Sequence, residues 1–182
     1  MALLVKKPIK KYKDILKGKV WVFPDNVDTD VISPAKYFEN LPATLEHTCE
    51  AIIRDFPSVV KDGDIIVAGR NMGCGSSRET APMILQEKGI AAVVAESFAR
   101  IFYRSSFARG FPLLEIPDIS KEFKTGDQIE INIPNAEVIN LRTGKKFKGK
   151  KIPPKLMNFL KHGGMEKMLL TELKEEAKGS TI

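Results

Sequence analysis

The residues in this sequence that are best suited to chemistry belong to one glycine-rich stretch, GRNMGCGSSRET, at positions 69–80. Its three glycines let the backbone approach a ligand closely and adopt positive φ angles where needed. Ser76 and Ser77 fall at the expected start of a helix, where free N–H groups and the helix dipole favour negative charge. Arg78 adds a planar, two-pronged donor that suits a carboxylate. The stretch therefore predicts an anion site that contains a hydroxyl group.

The same stretch has a simpler interpretation, in which no ligand is bound. Ser76 and Glu79 have the S-x-x-E spacing of a capping box, which satisfies the N–H groups of a helix start. Pro82 indicates that the regular helix begins near Thr80, because a proline in a helix interior removes a backbone hydrogen bond. The stretch lacks the GK[ST] of a Walker loop and the G-x-G-x-x-G of a dinucleotide turn, which disfavours nucleotide binding. The spacing alone leaves capping and anion binding both open.

The elements around this stretch place it at one edge of a parallel sheet. Short apolar runs predict strands at residues 19–23, 64–68, 91–95 and 113–116, with helices after residue 80 and over about 98–109. Strands that alternate with helices of this length imply parallel pairing with right-handed crossovers. Ligands bind beyond the carboxyl ends of such strands, and the glycine-rich stretch follows one of them. In the second helix, the apolar side chains at helical spacing are interpreted as core: Phe98, Ile101, Phe102 and Phe107.

The C-terminal third has a different pattern. GDQIEINI and AEVINL predict two antiparallel strands joined by the turn PNA, with a further edge in TGKKFKG. Helices are expected at 154–162 and 165–177, packed on the outside. The whole predicts an α/β domain with a mixed sheet, in which a parallel βαβαβ segment carries the site and the C-terminal strands are antiparallel. We divide the chain into a lysine-rich N-terminal extension, residues 1–17, and a single domain, residues 18–182.

The composition disfavours several classes of protein. No segment approaches the roughly 20 apolar residues of a membrane-spanning helix. The net charge of +6 comes with lysine tracts before Trp21 and around Lys150, without the interleaved aromatics of a nucleic-acid groove. Cys49 and Cys74 form no CxxC pair, which argues against a disulfide framework and a self-contained metal site.

From this composition we expect a cytoplasmic protein that binds neither membrane nor nucleic acid. The alternative is a noncatalytic module that binds anions or nucleic acid through this loop and the lysines.

Three motifs in a fixed order carry a resemblance to a known family. They are DNVDTDVISPAKY upstream, GCGSSRE after a strand, and AESFARIFYRSSFARGFPLLEI about twenty residues later. Together they resemble the swivelling domain of the aconitase superfamily and, more closely, the separately encoded small subunits of 3-isopropylmalate dehydratase (isopropylmalate isomerase) and homoaconitase. The likeness runs from about Gly18 to Gly164. It implies a swivelling β/β/α domain and a hydro-lyase that isomerises a 2-hydroxy diacid by dehydration and rehydration.

The resemblance assigns roles to five residues. Matched position by position, Ser76 is the base that removes a proton from the carbon next to a carboxylate, and Ser77 and Arg78 bind a substrate carboxylate. Asp30 is implied as the partner of a catalytic histidine in a large subunit, and Ser33 as a substrate contact. A serine hydroxyl is a very weak acid, so its alkoxide needs a helix N-terminus and nearby cations to stabilise it.

The resemblance also implies a cofactor that another chain must supply. Members of the family use the open iron of a 4Fe–4S cluster as a Lewis acid. This chain lacks the three cysteines that such a cluster requires, so we expect no cofactor and no metal in it. The cluster is expected in a large iron–sulfur partner subunit, within a heterodimer or heterotetramer. The active site would then lie at the interface, and this chain alone would be inactive.

The loop after Ser33 determines the substrate in the family that this chain resembles. Its side chains here include Lys36, Tyr37, Phe38 and Glu39. No arginine occurs between Asp30 and Arg54. An apolar substituent is therefore favoured, because a buried carboxylate without a cation would be costly. We expect interconversion of 3-isopropylmalate and 2-isopropylmalate, in leucine biosynthesis. Homoaconitate and 2,3-dimethylmalate remain alternative substrates.

Overall fold

The computed structural model describes residues 12–37, 39–76 and 80–179, with side chains up to residue 174. Phe38, Ser77, Arg78 and most of the predicted N-terminal extension therefore lie outside the described residues. The helices and strands are, in chain order, β1 (Ile15–Phe23), α1 (Thr29–Ile32), α2 (Leu41–His47), α3 (Phe56–Val59), β2 (Ile65–Ala68), α4 (Thr80–Glu87), β3 (Ala92–Ala95), α5 (Arg100–Ala108), β4 (Leu113–Glu115), β5 (Gln128–Asn132), β6 (Glu137–Asn140), β7 (Lys146–Lys148), α6 (Pro154–His162) and α7 (Met165–Gly179).

The sheet is mixed, as predicted. Its described strands lie in the order β4-β3-β2-β1-β5-β6-β7. The pairs among β1, β2, β3 and β4 are parallel, whereas β1 with β5, β5 with β6 and β6 with β7 are antiparallel. The parallel pairs are joined by helical crossovers, which contain α1 to α3 between β1 and β2, α4 between β2 and β3, and α5 between β3 and β4. Short connections after β5 and β6 give antiparallel pairs. The prediction of a parallel βαβαβ segment followed by antiparallel strands is confirmed.

β1 joins the two halves of the sheet and is longer than predicted. Its residues 15–19 pair with β5, and residues 20–23 pair with β2. The strand therefore begins four residues before the predicted start at 19, and residues 15–17 of the predicted extension are part of the sheet. The lysines and Gly18 in this segment obscured its strand pattern. Gly18 has a packing role, because a Cβ there would lie 2.1 Å from the carbonyl oxygen of Gly63.

The parallel half provides the core beneath the candidate site. β2 and β3 are buried along their whole length, as expected for parallel strands that are covered on both faces. On α5, Phe102 and Phe107 are buried against this sheet, and Phe98 precedes them. The prediction that Ile101 also belongs to the core is wrong, since its side chain is 51% exposed. Ile101 is displaced around the helix from Phe102 and shares the exposed face with Arg104.

Three short helices between residues 29 and 59 were not predicted. The segment DNVDTD, which is part of the first family motif, contains the start of α1. The side chain of Asp28 caps this helix by accepting a hydrogen bond from the backbone N–H of Asp30, at 2.7 Å. Asn40 caps α2 in the same way, by accepting from the N–H of Ala43. α1, α2 and α3 have four, seven and four residues, too few to show a helical period in sequence.

The C-terminal helices lie where they were predicted. α6 buries Phe159 and Leu160, and α7 packs against α6. Among the described residues, no helix combines the length and the apolar character needed to cross a membrane.

A half-buried ion pair joins the residue before β5 to the chain beyond β6. Asp127 accepts from Nε and Nη2 of Arg142, at 2.6 and 3.1 Å. This guanidinium is the main cause that lowers the pKa of Asp127 from 3.8 to about 2. Since the folded-state pKa of Asp127 is depressed, the pair stabilises the fold above pH 4, and this contribution is lost as pH falls towards 2.

Arg142→Ala removes this pair and should therefore move the midpoint of acid unfolding, followed by circular dichroism, to higher pH. Lys145→Ala removes an exposed pair with Glu122 and should leave the midpoint unchanged; equal shifts in the two variants would contradict this account.

Ser106 offers a stability prediction. Its hydroxyl is buried on α5 and has no hydrogen-bond partner among the described residues. Ser106→Ala should raise the free energy of unfolding by about 1 to 3 kcal/mol, because it removes an unsatisfied buried polar group. Urea unfolding measures this change. Ser105→Ala is the matched control on the same helix, since the Ser105 hydroxyl already donates to the Ile101 carbonyl at 3.0 Å. A lower unfolding free energy in Ser106→Ala than in the wild type would disprove the prediction.

Candidate active site

Two loops meet at the carboxyl edge of the parallel strands. Residues 24–28 follow β1, and residues 69–76 follow β2, which is its parallel neighbour. Backbone hydrogen bonds of 2.8 Å join the first loop and the start of α1 to the second loop. They run from Asn26 N to Arg70 O, from Gly73 N to Val27 O, and from Thr29 N to Cys74 O. The predicted glycine-rich edge is thus cross-linked to the segment that contains DNVDTD.

Glycines 73 and 75 have the positive φ angles that the sequence suggested, +79° and +92°. A Cβ on Gly73 would lie 2.2 Å from the ring of Phe102, and one on Gly75 would lie 2.3 Å from the carboxylate of Asp28. Both glycines therefore let the loop pack against its own chain. From the sequence, these glycines were expected to let the backbone approach a ligand. In the structure, the backbone approaches α5 at Gly73 and the Asp28 cap of α1 at Gly75.

Gly69 serves close packing without a positive φ angle. A Cβ on it would lie 1.9 Å from Oδ1 of Asp25, and the same oxygen accepts a hydrogen bond from the backbone N–H of Arg70 at 2.7 Å. The Asp25 carboxylate thus anchors the beginning of the glycine-rich loop.

Ser76 lies at the exposed end of this loop. The hydroxyl of the buried Thr29 donates to the backbone carbonyl of Ser76 at 3.2 Å, and the two hydroxyl oxygens are 3.5 Å apart. Asp30 follows Thr29 directly and is exposed in the first turn of α1. The structure therefore brings the loop of Ser76 and the turn of Asp30 to one exposed edge, from positions 46 residues apart in sequence.

Ser33 is placed differently from the expectation of a substrate contact. It is 1% exposed, and its hydroxyl lies 3.3 Å from the hydroxyl of Thr80, the first residue of α4. In this conformation Ser33 connects α1 to the start of α4. Its predicted contact with substrate stays a prediction.

Three residues between this loop and α4 lie outside the described residues: Ser77 and Arg78 of the predicted anion site, and Glu79 of the predicted capping box. Anion binding by Arg78 and capping by Glu79 therefore both stay predictions. The first described residue of α4 is Thr80. Because residues 77–79 lie outside the described residues, the helix start near Thr80 stays a prediction.

The predicted specificity loop is organised around Tyr37. Its ring stacks on the imidazole of His47, with centroids 4.2 Å apart and planes at 9°, and the ammonium of Lys36 lies 5.0 Å from the ring centroid. His47 is held in turn by Glu50, whose carboxylate lies 2.8 Å from Nδ1. No signal in the sequence indicated this stacking, because the two rings lie ten positions apart and no motif links them. An open depression of about 500 Å³ is lined by Ala35, Lys36, Tyr37, Glu39, Asn40 and Ala43.

The donor set of the described residues does not fit an iron–sulfur cluster. Such clusters are held by several cysteine thiolates. Burial raises the pKa of the Cys49 thiol far above its ordinary value. At Cys74, desolvation and then the nearby Asp28 carboxylate also raise the thiol pKa. Both cysteines thus favour the protonated thiol. The described parts of the chain contain no group of three or more His, Cys, Asp or Glu side chains suited to a metal ion.

Comparisons with known proteins agree on one family. Residues 35–118 match the model of the aconitase C-terminal domain. The 3-isopropylmalate dehydratase small subunit of Thermodesulfovibrio yellowstonii is 49% identical over 152 residues, which cover 82% of this chain and 90% of that protein. The isopropylmalate/citramalate isomerase small subunit of Methanocaldococcus jannaschii is 46% identical, over 90% of this chain and 98% of that protein. A crystal structure of 3-isopropylmalate dehydratase from the same organism superposes with a TM-score of 0.85 at 36% identity, covering 91% of this chain and 99% of that chain.

Proposed function

Because this chain belongs to the family of 3-isopropylmalate dehydratase small subunits, we propose that it is the small subunit of a hydro-lyase that interconverts 3-isopropylmalate and 2-isopropylmalate. The reaction is dehydration to isopropylmaleate, followed by rehydration with the hydroxyl on the neighbouring carbon, and it belongs to leucine biosynthesis. Among the observations on the site, one carries the proposal: an exposed Ser76 at the carboxyl edge of the sheet, fixed to α1 by the cross-linked loops.

Ser76 is the proposed base. Its alkoxide takes a proton from the substrate carbon next to a carboxylate, and the pair of electrons left on that carbon spreads into the carboxylate. Ser77 and Arg78 are proposed to bind this carboxylate, where a two-pronged guanidinium stabilises the charge that grows in the transition state. The exposure of Ser76 supports this role, since a base that meets substrate from a second subunit must lie on the surface of its own chain.

Asp30, in the first turn of α1, and Ser33, at its C-terminal end, are proposed to complete the site. The family resemblance assigns Asp30 to a histidine of the large subunit, and the exposure of Asp30 in the first turn of α1 supports this role. Ser33 is proposed to contact substrate in the complex with the large subunit. Ser33 is 1% exposed and its hydroxyl lies 3.3 Å from that of Thr80, so contact with substrate requires the residues around it to move apart.

The proposed complex contains a large subunit that holds a 4Fe–4S cluster. The family implies this cluster, and the thiols of this chain do not fit one. The complex is a heterodimer or a heterotetramer in the cytoplasm, with the active site between the subunits. Only with the partner present does the small subunit take part in turnover.

The specificity loop favours an apolar substituent. The proposed contacts are Lys36, Tyr37, Phe38 and Glu39. Lys36 is exposed, and its ammonium lies 5.0 Å from the centroid of the Tyr37 ring. This contact is weak enough for Lys36 to pair a further substrate carboxylate instead, so homoaconitate remains an alternative, as does 2,3-dimethylmalate. Citramalate becomes a further candidate, because the relative from Methanocaldococcus jannaschii carries citramalate in its name.

The proposal is tested by reconstitution with the large subunit. The isolated chain should show no turnover, whereas the complex coexpressed with the large subunit should be brown and hydrate isopropylmaleate. Assays with 3-isopropylmalate, 2,3-dimethylmalate, citramalate and homocitrate side by side should give the highest kcat/KM for 3-isopropylmalate. The alternative of a nucleic-acid-binding module predicts salt-sensitive binding of nucleic acid by the isolated chain. That binding, together with a complex that turns over none of these acids, would overturn the proposed function.

A further inference from the structure

We propose that Thr29 is a positioning residue for Ser76, whose hydroxyl stabilises the deprotonated form of the Ser76 side chain. The inference rests on the proposed function, because it gives Thr29 a task only if Ser76 acts as a base. The two residues are in contact: Thr29 Oγ1 lies 3.2 Å from the carbonyl oxygen of Ser76 and 3.5 Å from its hydroxyl oxygen.

Thr29 is held more firmly than the serine that it contacts. It is 1% exposed, whereas Ser76 is exposed. Its N–H donates to the Cys74 carbonyl and its carbonyl accepts from the Ser33 N–H, both at 2.8 Å. The cap formed by Asp28 fixes the turn in which it lies. A β-branched side chain on such a backbone has few rotamers. The Thr29 hydroxyl is therefore held in one position and can orient the Ser76 side chain by hydrogen bonding.

The chemistry of this hydroxyl suits both states of a serine base. A threonine hydroxyl has one proton and two lone pairs. While Ser76 is protonated, Thr29 donates to the Ser76 carbonyl and can accept from the Ser76 hydroxyl. When Ser76 loses its proton to solvent, the Thr29 proton can turn to the alkoxide, and a hydrogen bond to a charged acceptor is stronger than one to a neutral carbonyl. When the alkoxide takes the substrate proton, the first arrangement returns, and Thr29 gains and loses no proton in the cycle.

A purely structural role makes a different prediction. If Thr29 served only to hold the Ser76 carbonyl, its loss would disturb the loop, and both KM and the melting temperature would change. If it stabilises the alkoxide, its loss would act on kcat and on the pH at which the base is formed. Thr29→Val tests this difference because valine keeps the branched shape and lacks the hydroxyl, while Thr29→Ser keeps the hydroxyl.

The experiment measures kcat, KM and their pH dependence in the coexpressed complex of each variant. Thr29→Val should lower kcat by about ten- to a hundredfold, the effect of one hydrogen bond to a charged group, with KM nearly unchanged. In a plot of kcat against pH, the acidic limb of Thr29→Val should move to higher pH, because the Ser76 alkoxide forms less readily without the Thr29 hydroxyl. Thr29→Ser should retain most of the wild-type kcat. Should Thr29→Val fail to assemble, Thr29→Cys replaces it, since a thiol is a weak donor of similar size.

Two outcomes would overturn this inference alone. One is wild-type kcat and pH profile in Thr29→Val; the other is an equal loss in Thr29→Val and Thr29→Ser, which would assign the effect to packing. A wild-type complex without turnover on any of the diacids would overturn the proposed function, and the role of Thr29 with it. Melting temperature and complex yield are recorded for every variant, so that a kinetic loss is separated from a failure to assemble.

Discussion

Ser76→Ala should lower kcat of the reconstituted complex by about a hundredfold to ten-thousandfold, the range of a positioned general base. The residue is exposed at the end of its loop, so the truncation leaves no cavity, and folding and assembly should remain intact. The measurement is isopropylmaleate hydration by complexes of equal cluster content.

The matched control is Ser58→Ala, which truncates an exposed serine on α3. It should leave turnover at the wild-type level. A loss in Ser76→Ala of less than about tenfold would favour the capping interpretation of the loop, because a cap contributes to stability and not to the reacting centre.

Gly75→Ala should reduce kcat by on the order of a hundredfold, which is the cost of misplacing a reacting group by about 1 Å. Gly75 directly precedes the proposed base, has a φ of +92°, and has the Asp28 carboxylate where a Cβ would lie. The added methyl group must push the loop or the cap of α1 away. Either movement shifts Ser76 relative to α1.

Gly126→Ala is the control that distinguishes displacement of Ser76 from the strain of an alanine at positive φ. Gly126 has a similar φ of +100°, and a Cβ on it would meet no atom within 4 Å. Both variants should lose stability, by about 1 to 3 kcal/mol for an unfavourable backbone conformation. Only Gly75→Ala should lose turnover. Equal kcat in the two variants, after correction for folded protein, would show that the contact between Gly75 and Asp28 does not position Ser76.

The regular part of the fold could be predicted because its sequence signals are local. β2 and β3 are short, wholly apolar runs between turn signals, and each was predicted to within one residue of its observed start. α6 was predicted with its observed bounds, since Pro154 and Gly163 mark its ends. The family was recognised from three motifs in order, and the relatives confirm it.

The contacts that build the site could not be predicted, because they depend on packing between distant segments. The hydrogen bond from Thr29 to Ser76 joins residues 47 positions apart and requires β1 and β2 to be neighbours in one register. The stacking of Tyr37 on His47 depends on α2, a helix too short to be read from its period. The error at Ile101 has a similar origin, since helical spacing does not decide which face of α5 meets the sheet.

The central claim is that Ser76 moves the proton at the reacting carbon, and hydration of isopropylmaleate in D₂O tests it most directly. Proton NMR of the product shows whether a deuteron has been added to that carbon. The wild-type complex should form the deuterated product, whereas a Ser76→Ala complex of equal cluster content should form almost none in the same time. Deuteration at the same rate in both complexes would contradict the account.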